Sequence, residues 1–297
     1  MFELIEFPSE GAMLRGRLYG CGDTNAPFLV MTHGTSATIT MVVDKYAEAF
    51  CREGMNVLLY DHKNFGISDG EPRSEINPWT QGRGYRDAVK WLREAKGADK
   101  VAIWGDSFAG MIALVAASLI PDLSAVVAQI PACGIELPPI EPSDENHEIL
   151  RKTFGDGDIS GTSEHTTGPI PVVSADQLNA PSLLTPIQAF RWFTEHGGRF
   201  GSQWQNQATR VIPPTPVPFS AYLAAPYIEA PVLMMTGRND EMVHCNPAVQ
   251  QEVYEKISAP KELYEIDGGH FGLLWHPSAL FDEASAKQTA FLQEVLL

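Results

Sequence analysis

Cysteine is scarce in this sequence. Cys21, Cys51, Cys133 and Cys245 lie far apart in a chain of 297 residues, with no C-x-x-C pair. That spacing excludes a disulfide framework and offers no zinc site, so the four thiols are read as small buried or half-buried side chains. Long apolar runs are missing as well: none approaches the ~20 residues that a membrane helix needs. The opening MFELIEFPSEGAMLRG has neither the basic start nor the apolar stretch of a signal peptide. Positive charge is short too. With 21 Lys and Arg against 37 Asp and Glu, the net charge is −16. A surface of that sign repels phosphate backbones and anionic lipid heads. Neither a P-loop nor a G-x-G-x-x-G turn is present, and Gly82-Arg83-Gly84 leads into a charged helix rather than out of a strand.

What is there is a rhythm. LIEFPSEGAMLRGRLYG alternates around Pro8-Ser9-Glu10-Gly11 and predicts a β-hairpin. Continuous apolar runs follow at FLVMTH (28–33), NVLLYD (56–61), KVAIWG (100–105), LSAVVAQIP (123–131), APVLMMTG (230–237) and KELYEID (261–267). Helical patterns stand between them: DKYAEAFCREG, 82–97, 108–120, 246–257 with Asn246 as cap and Pro247 at the first helical position, and a closing helix from Pro277. Strands that are apolar on both faces belong to a parallel sheet covered on each side by helices. The rhythm lapses between Pro131 and Pro226, a stretch rich in proline and acidic residues with one amphipathic helix, near 185–195. It reads as an insertion, because the β/α alternation resumes after it.

Within VAIWGDSFAGMIAL, a strand turns directly into a helix at Ser107. A corner so short needs small neighbours two positions to either side, here Gly105 and Ala109, and Gly110 adds room. The helix N-terminus behind it, with free N–H groups and a positive dipole end, suits a developing oxyanion. Downstream, VLMMTGRNDEMVH places Asp240 just past one predicted strand, and KELYEIDGGHFGLL places His270 just past the last. Ser107, Asp240 and His270 therefore fall on one edge of one sheet, where open α/β sheets bind ligands. Glu241 is adjacent to Asp240, and Asp267 lies too close to His270 in sequence to buttress it easily.

Gly105-Asp106-Ser107-Phe108-Ala109 resembles the nucleophile elbow of the α/β-hydrolase family, usually written G-x-S-x-G, with Ala in the last place. Acid and histidine come in that family's order. His33-Gly34-Thr35-Ser36 resembles its oxyanion loop, and the stretch from Tyr60 to Gly70 its turn after the fourth strand, with Lys63-Asn64 in place of Arg-Gly. The likeness runs from about residue 12 to 130 and from 226 to 297, and looks most similar to the dienelactone-hydrolase-like and peptidase-S15-like branch. It implies an α/β fold with a mostly parallel sheet of the eight-stranded type flanked by helices. The core would be 1–130 and 226–297, and residues 131–225 an inserted cap. It also implies the roles: Ser107 the nucleophile, His270 the base, Asp240 its orienting acid, and the Thr35 and Phe108 amides the oxyanion hole.

The expected function is that of a serine hydrolase, esterase- or thioesterase-like, cleaving an ester, lactone or thioester of a small, partly hydrophobic substrate through an acyl-enzyme. Acyl transfer or amide hydrolysis on the same three residues, and a non-catalytic binding module, are the alternatives. Ser36, Trp192, Trp204 and Tyr222 are the expected substrate-binding residues, although the insertion's aromatic residues could equally well pack it onto the sheet. His33 reads as structural. His244 reads as a surface residue, with a place on the site as the alternative, and His62, His147, His165, His196 and His276 show no metal spacing. No metal and no cofactor are expected. The expected partner is a small-molecule substrate, not nucleic acid and not a membrane, in a cytoplasmic protein; a homodimer stays open.

Overall fold

The computed structural model describes residues 1–156 and 166–297. His165 and most of the GDGDISGTSEHTTG stretch lie outside them. Strands β1 (Phe2–Ser9) and β2 (Ala12–Tyr19) form the hairpin, turning at Glu10 and Gly11, both at positive φ. The main sheet then takes up β3 (Phe28–Thr32), β4 (Asn56–Tyr60), β6 (Val101–Asp106), β7 (Ala125–Gln129), β10 (Val232–Gly237) and β11 (Lys261–Ile266). Its order is β1-β2-β4-β3-β6-β7-β10-β11. The pairs from β4 through β11 are all parallel, and β2 meets β4 antiparallel. The expected fold class is the observed one.

Alternate residues of each inner strand enter opposite cores, as a pleated strand covered on both faces requires. Val30 and Ile103 join one cluster with α2 (Pro78–Lys96) and α3 (Ser107–Ala117). Met31 and Trp104 join the other with α1 (Val43–Arg52) and α9 (Ala279–Leu296). Helix α3 is buried nearly all round, as its unbroken apolar sequence predicts. Helix α7 (Pro247–Lys256) is capped by the Asn246 side chain, which accepts the Ala248 N–H.

Two elements differ from the sequence reading. Helix α2 starts at Pro78, not at 82, with the Asn77 side chain as its cap. The stretch 131–225 holds more regular structure than one helix. It carries α4 (Asp144–Asp156), β8 (Thr166–Ile170), α5 (Ile187–Gly197), β9 (Ala208–Val211) and α6 (Ala221–Ala224). Strand β9 is the middle of a second sheet, between β8 and the two-residue β5 (Glu75–Ile76). Residues 131–225 are thus tied by main-chain hydrogen bonds to the loop before α2. Among the described residues no helix is long and apolar enough to cross a membrane.

Candidate active site

Ser107 opens α3 at the end of β6 with φ 54, a left-handed conformation that side chains other than glycine rarely adopt. Holding it there costs on the order of 1–3 kcal/mol, which the buried strand and helix on either side must offset. The surroundings explain the small neighbours. A methyl group at Gly105 would collide with the Ala109 backbone, and behind this contact the Tyr85 hydroxyl donates to the Trp104 carbonyl at 2.7 Å. A methyl group at Gly34 would come within 3.0 Å of Ser107 Cβ and of the Asp106 carbonyl. The loop after β3 therefore lies against the elbow, and its glycine is required by that approach.

That loop is fixed from below by buried polar groups. His33 Nδ1 lies 2.9 Å from the Gly34 carbonyl, and Nε2 is 3.4 Å from the His62 amide. Burial holds the His33 imidazole below its ordinary pKa, so the neutral ring donates at Nδ1 and accepts at Nε2. The buried Asp61 carboxylate accepts the Ile39 and Ile67 amides at 2.9 and 3.0 Å. These bonds set where Thr35 stands. As the second residue of α3, Phe108 has no intrahelical acceptor for its own N–H.

On the far side of β6, His270 begins α8 (His270–Leu273), just past β11. Its Nδ1 is 2.8 Å from Asp240 Oδ2, and both side chains are almost wholly enclosed. The other Asp240 oxygen accepts the Met242 amide at 2.8 Å, which fixes the carboxylate plane. The Glu241 carboxylate accepts the His270 amide at 2.8 Å, and so holds the backbone while Asp240 holds the ring. Asp267 is turned away, bonded to Asn239. Sequence reasoning missed Cys245. Its sulfur lies 3.6 Å from His270 Nδ1, and burial first, with Asp240 second, pushes the thiol pKa up. Asp240, Cys245 and His270 are the only cluster of three potential metal ligands found among the described residues, with ligand atoms within 4.8 Å of one another. His270 and Asp240 already satisfy each other there.

Ser107, His270, Thr35 and Phe108 all line one cavity of about 620 Å³. Residues 131–225 supply much of the rest of its wall, including Leu137, Trp192, Phe193, Ile212, Pro213 and Phe219, while Trp79 and Met111 come from α2 and α3. Of the four expected substrate-binding residues, only Trp192 is on this wall, and its indole N–H donates to the Leu274 carbonyl at 2.7 Å. The other three require correction. Ser36 turns away at φ 57 and is buried beneath the loop. Trp204 packs on the back of α5, its ring 5.5 Å from that of Phe193. Tyr222, on α6, is buried in the core and donates its hydroxyl to Glu141 at 2.7 Å. The aromatic residues of the insertion divide accordingly. Trp192, Phe193 and Phe219 face the cavity, Tyr227 stacks on His147, and Phe200 stands in solvent. His244, read as a surface residue, is half-buried and lines the cavity.

Asp106 also lines the cavity. Its carboxyl is fully enclosed, and one oxygen has no partner among the described residues. Burial pushes its pKa up to about 7, against the opposing pull of His270 and of the amides of Asp106 and Gly34.

A strained serine between strand and helix, a carboxylate-bound histidine and a shared apolar cavity on the carboxyl edge of a parallel sheet define the class. The family model described as alpha/beta hydrolase fold matches residues 27–158. The chain belongs to the alpha/beta hydrolase fold family and is an enzyme of that fold. Polyketide transferase grgF of Penicillium sp is 33% identical over 271 residues, covering 90% of this chain and 88% of its own. Thiohydrolase aneE of Aspergillus aculeatus is 29% identical, covering 98% of this chain and 93% of its own. The crystal structure of alpha/beta hydrolase GrgF from Penicillium sp. sh18 superposes with a TM-score of 0.71 at 24% identity, over 100% of this chain and 99% of that one.

Proposed function

We propose that this enzyme cleaves or passes on the acyl group of a thioester, or of a comparably activated ester, through an acyl-serine at Ser107. The observation that carries the reading is the placement of strained Ser107 and Asp240-bound His270 on one apolar cavity. Ser107 Oγ attacks the carbonyl carbon and gives its proton to His270 Nε2. Asp240 keeps the opposite nitrogen protonated and steadies the imidazolium that forms. The Thr35 and Phe108 N–H groups bind the oxyanion. When the tetrahedral intermediate collapses, the C–S bond breaks and the thiol leaves with the proton from His270. A second nucleophile, deprotonated by His270, then attacks the acyl-serine; the C–Oγ bond breaks, and His270 returns the proton to Ser107 Oγ. Residues 131–225 act as a cap whose apolar wall holds the acyl chain. Relatives named thiohydrolase and polyketide transferase support the thioester and the acyl chemistry.

Purified protein incubated with S-acyl-N-acetylcysteamine should release thiol, and intact-mass analysis should find the acyl group on Ser107. Ser107→Ala should lower turnover by about 10³-fold or more. Near-normal turnover by that variant overturns the mechanism. The second nucleophile is water in the first reading and an alcohol or amine in the second. The second is favoured by the prolines that cover the cavity (Pro138, Pro139, Pro213, Pro214 and Pro218), which offer no N–H groups to order water. Product analysis with a primary alcohol present separates the two.

A further inference from the structure

We propose that Arg210 and His244 form an anion subsite on the cavity wall, and that the natural thioester carries an oxyanion which they bind. Arg210 is the only Lys or Arg on the wall among the described residues, and it makes no ion pair with any of them. Its backbone is held on both sides, by Ile76 of β5 and Thr167 of β8, because β9 is the middle strand of the small sheet. His244 stands opposite, on the main-sheet side, between β10 and α7. Its carbonyl accepts the Gly134 amide at 2.9 Å, and Gly134 bridges to Cys245. Both side chains line the same cavity. Burial first, and then the Arg210 charge, holds the His244 imidazole below its ordinary pKa. The other ionisable groups on the wall are Asp106, Glu136, His270 and Cys133. None of them pairs with Arg210.

The charge of the whole molecule gives the pairing its meaning. A protein of net charge −16 repels an anionic substrate at every distance its field reaches. Arg210 is exposed, but its strand is anchored on both sides, and a cation carried there without a carboxylate partner reverses that repulsion locally. A wholly neutral acyl thioester gives it nothing to bind. The guanidinium offers a planar, two-pronged donor set that matches a carboxylate or a phosphate. An arriving oxyanion also favours protonation of His244, which adds a second charge to the contact. The shared chemistry is an oxyanion. It comes either from a phosphate ester on the thiol side of the substrate or from a carboxylate on the acyl side.

This inference rests on the thioester reading, and its test keeps the two apart. Three thioesters with the same acyl length are compared: S-acyl-N-acetylcysteamine, S-acyl-4′-phosphopantetheine and S-(ω-carboxyacyl)-N-acetylcysteamine. One anionic thioester should show a kcat/KM about tenfold or more above the neutral one, the range expected of a hydrogen bond to a charged group. The thioester that gains identifies the source of the oxyanion. Arg210→Gln should abolish the gain and leave the neutral thioester within about twofold of wild type, and Arg210→Lys should restore part of it. Equal kcat/KM for all three, or a gain that survives in Arg210→Gln, overturns the subsite. If no thioester is turned over, the catalytic reading has failed and binding alone decides. Calorimetry on Ser107→Ala then compares phosphopantetheine with pantetheine, and a dicarboxylic with a monocarboxylic acid. Tighter binding of one anion, lost on adding Arg210→Gln, supports the subsite; equal binding within each pair overturns it.

Discussion

The two walls of the cavity are built differently. On one side every group of the proposed mechanism hangs from the end of a parallel strand: Ser107 from β6, Asp240 from β10, His270 from β11 and Thr35 from β3. Those residues are held by hydrogen bonds under 3 Å, by a strained φ and by glycines that permit backbone contact. On the other side, residues 131–225 contribute five prolines and the aromatic rings of Trp192, Phe193 and Phe219. Packing alone specifies a surface of that kind loosely, since apolar contacts are non-directional. On the proposed function, the strand-end wall fixes where bonds are made and broken, and the wall from residues 131–225 selects the acyl chain and can change without disturbing the chemistry.

The sharpest way to break this division is at the strand-end wall. Asp240→Asn keeps the shape but presents an amide to His270 Nδ1, which favours the wrong tautomer. Turnover should fall by about 10³- to 10⁴-fold with the thermal midpoint little changed. A loss of less than about tenfold would mean that the carboxylate does not orient the base. Across the cavity, Phe219→Ala should leave turnover of a short acyl thioester near wild type and shift the preferred chain length upward. The change in relative kcat/KM should be about tenfold, since removing buried ring surface alters transfer energies by about 1–3 kcal/mol. A uniform loss across all chain lengths would place Phe219 in the chemistry and dissolve the contrast.

The strand-end wall is the more legible in sequence, for the same physical reason. Buried parallel strands need unbroken apolar runs, and strand ends are fixed by them, so Ser107, Asp240 and His270 can be placed on one edge before any coordinates. The Asn246-Pro247 start of α7 is also readable. Asn77-Pro78 carries the same signal for α2, but Gly82 and Gly84 dilute the helical pattern behind it. Helix α4 hides its start among Pro138, Pro139 and Pro142, although Ser143 Oγ accepts the Asn146 amide there. The small sheet pairs Glu75-Ile76 with Thr209-Arg210 across more than a hundred residues, and no local pattern announces a two-residue strand. The aromatic residues of the insertion are visible as a set. Which of them face the cavity depends on tertiary packing: of the residues expected to bind substrate, Trp192 lines the cavity, and Ser36, Trp204 and Tyr222 do not.

Asp106 tests whether the strand-end wall stores unfavourable groups. Its folded pKa, about 7, lies above that of an ordinary carboxyl, so the folded chain holds a proton that the unfolded chain has already released. Between about pH 4 and pH 7 the unfolded state binds fewer protons, and stability falls as pH rises; above 7 the contribution is level. Asp106→Asn has no such titration. Its stability relative to wild type, read from urea midpoints across that range, should rise with pH up to about 7 and then hold constant. Parallel pH curves for the two proteins would show that the carboxyl titrates normally.

The smallest expected effect lies behind the inserted wall. The sequence suggests that Tyr222 touches substrate, yet its ring is in the core and its hydroxyl donates to Glu141. Tyr222→Phe removes that one hydrogen bond, whose acceptor is a well-exposed carboxylate. The unfolding free energy should drop by about 1 kcal/mol or less. Both kcat/KM and chain-length preference should stay within about twofold of wild type. A change in chain-length preference as large as that of Phe219→Ala would mean that the cavity extends past Phe219 to Tyr222 when substrate is bound, and the inserted wall would then yield to the acyl chain rather than select it by a fixed shape.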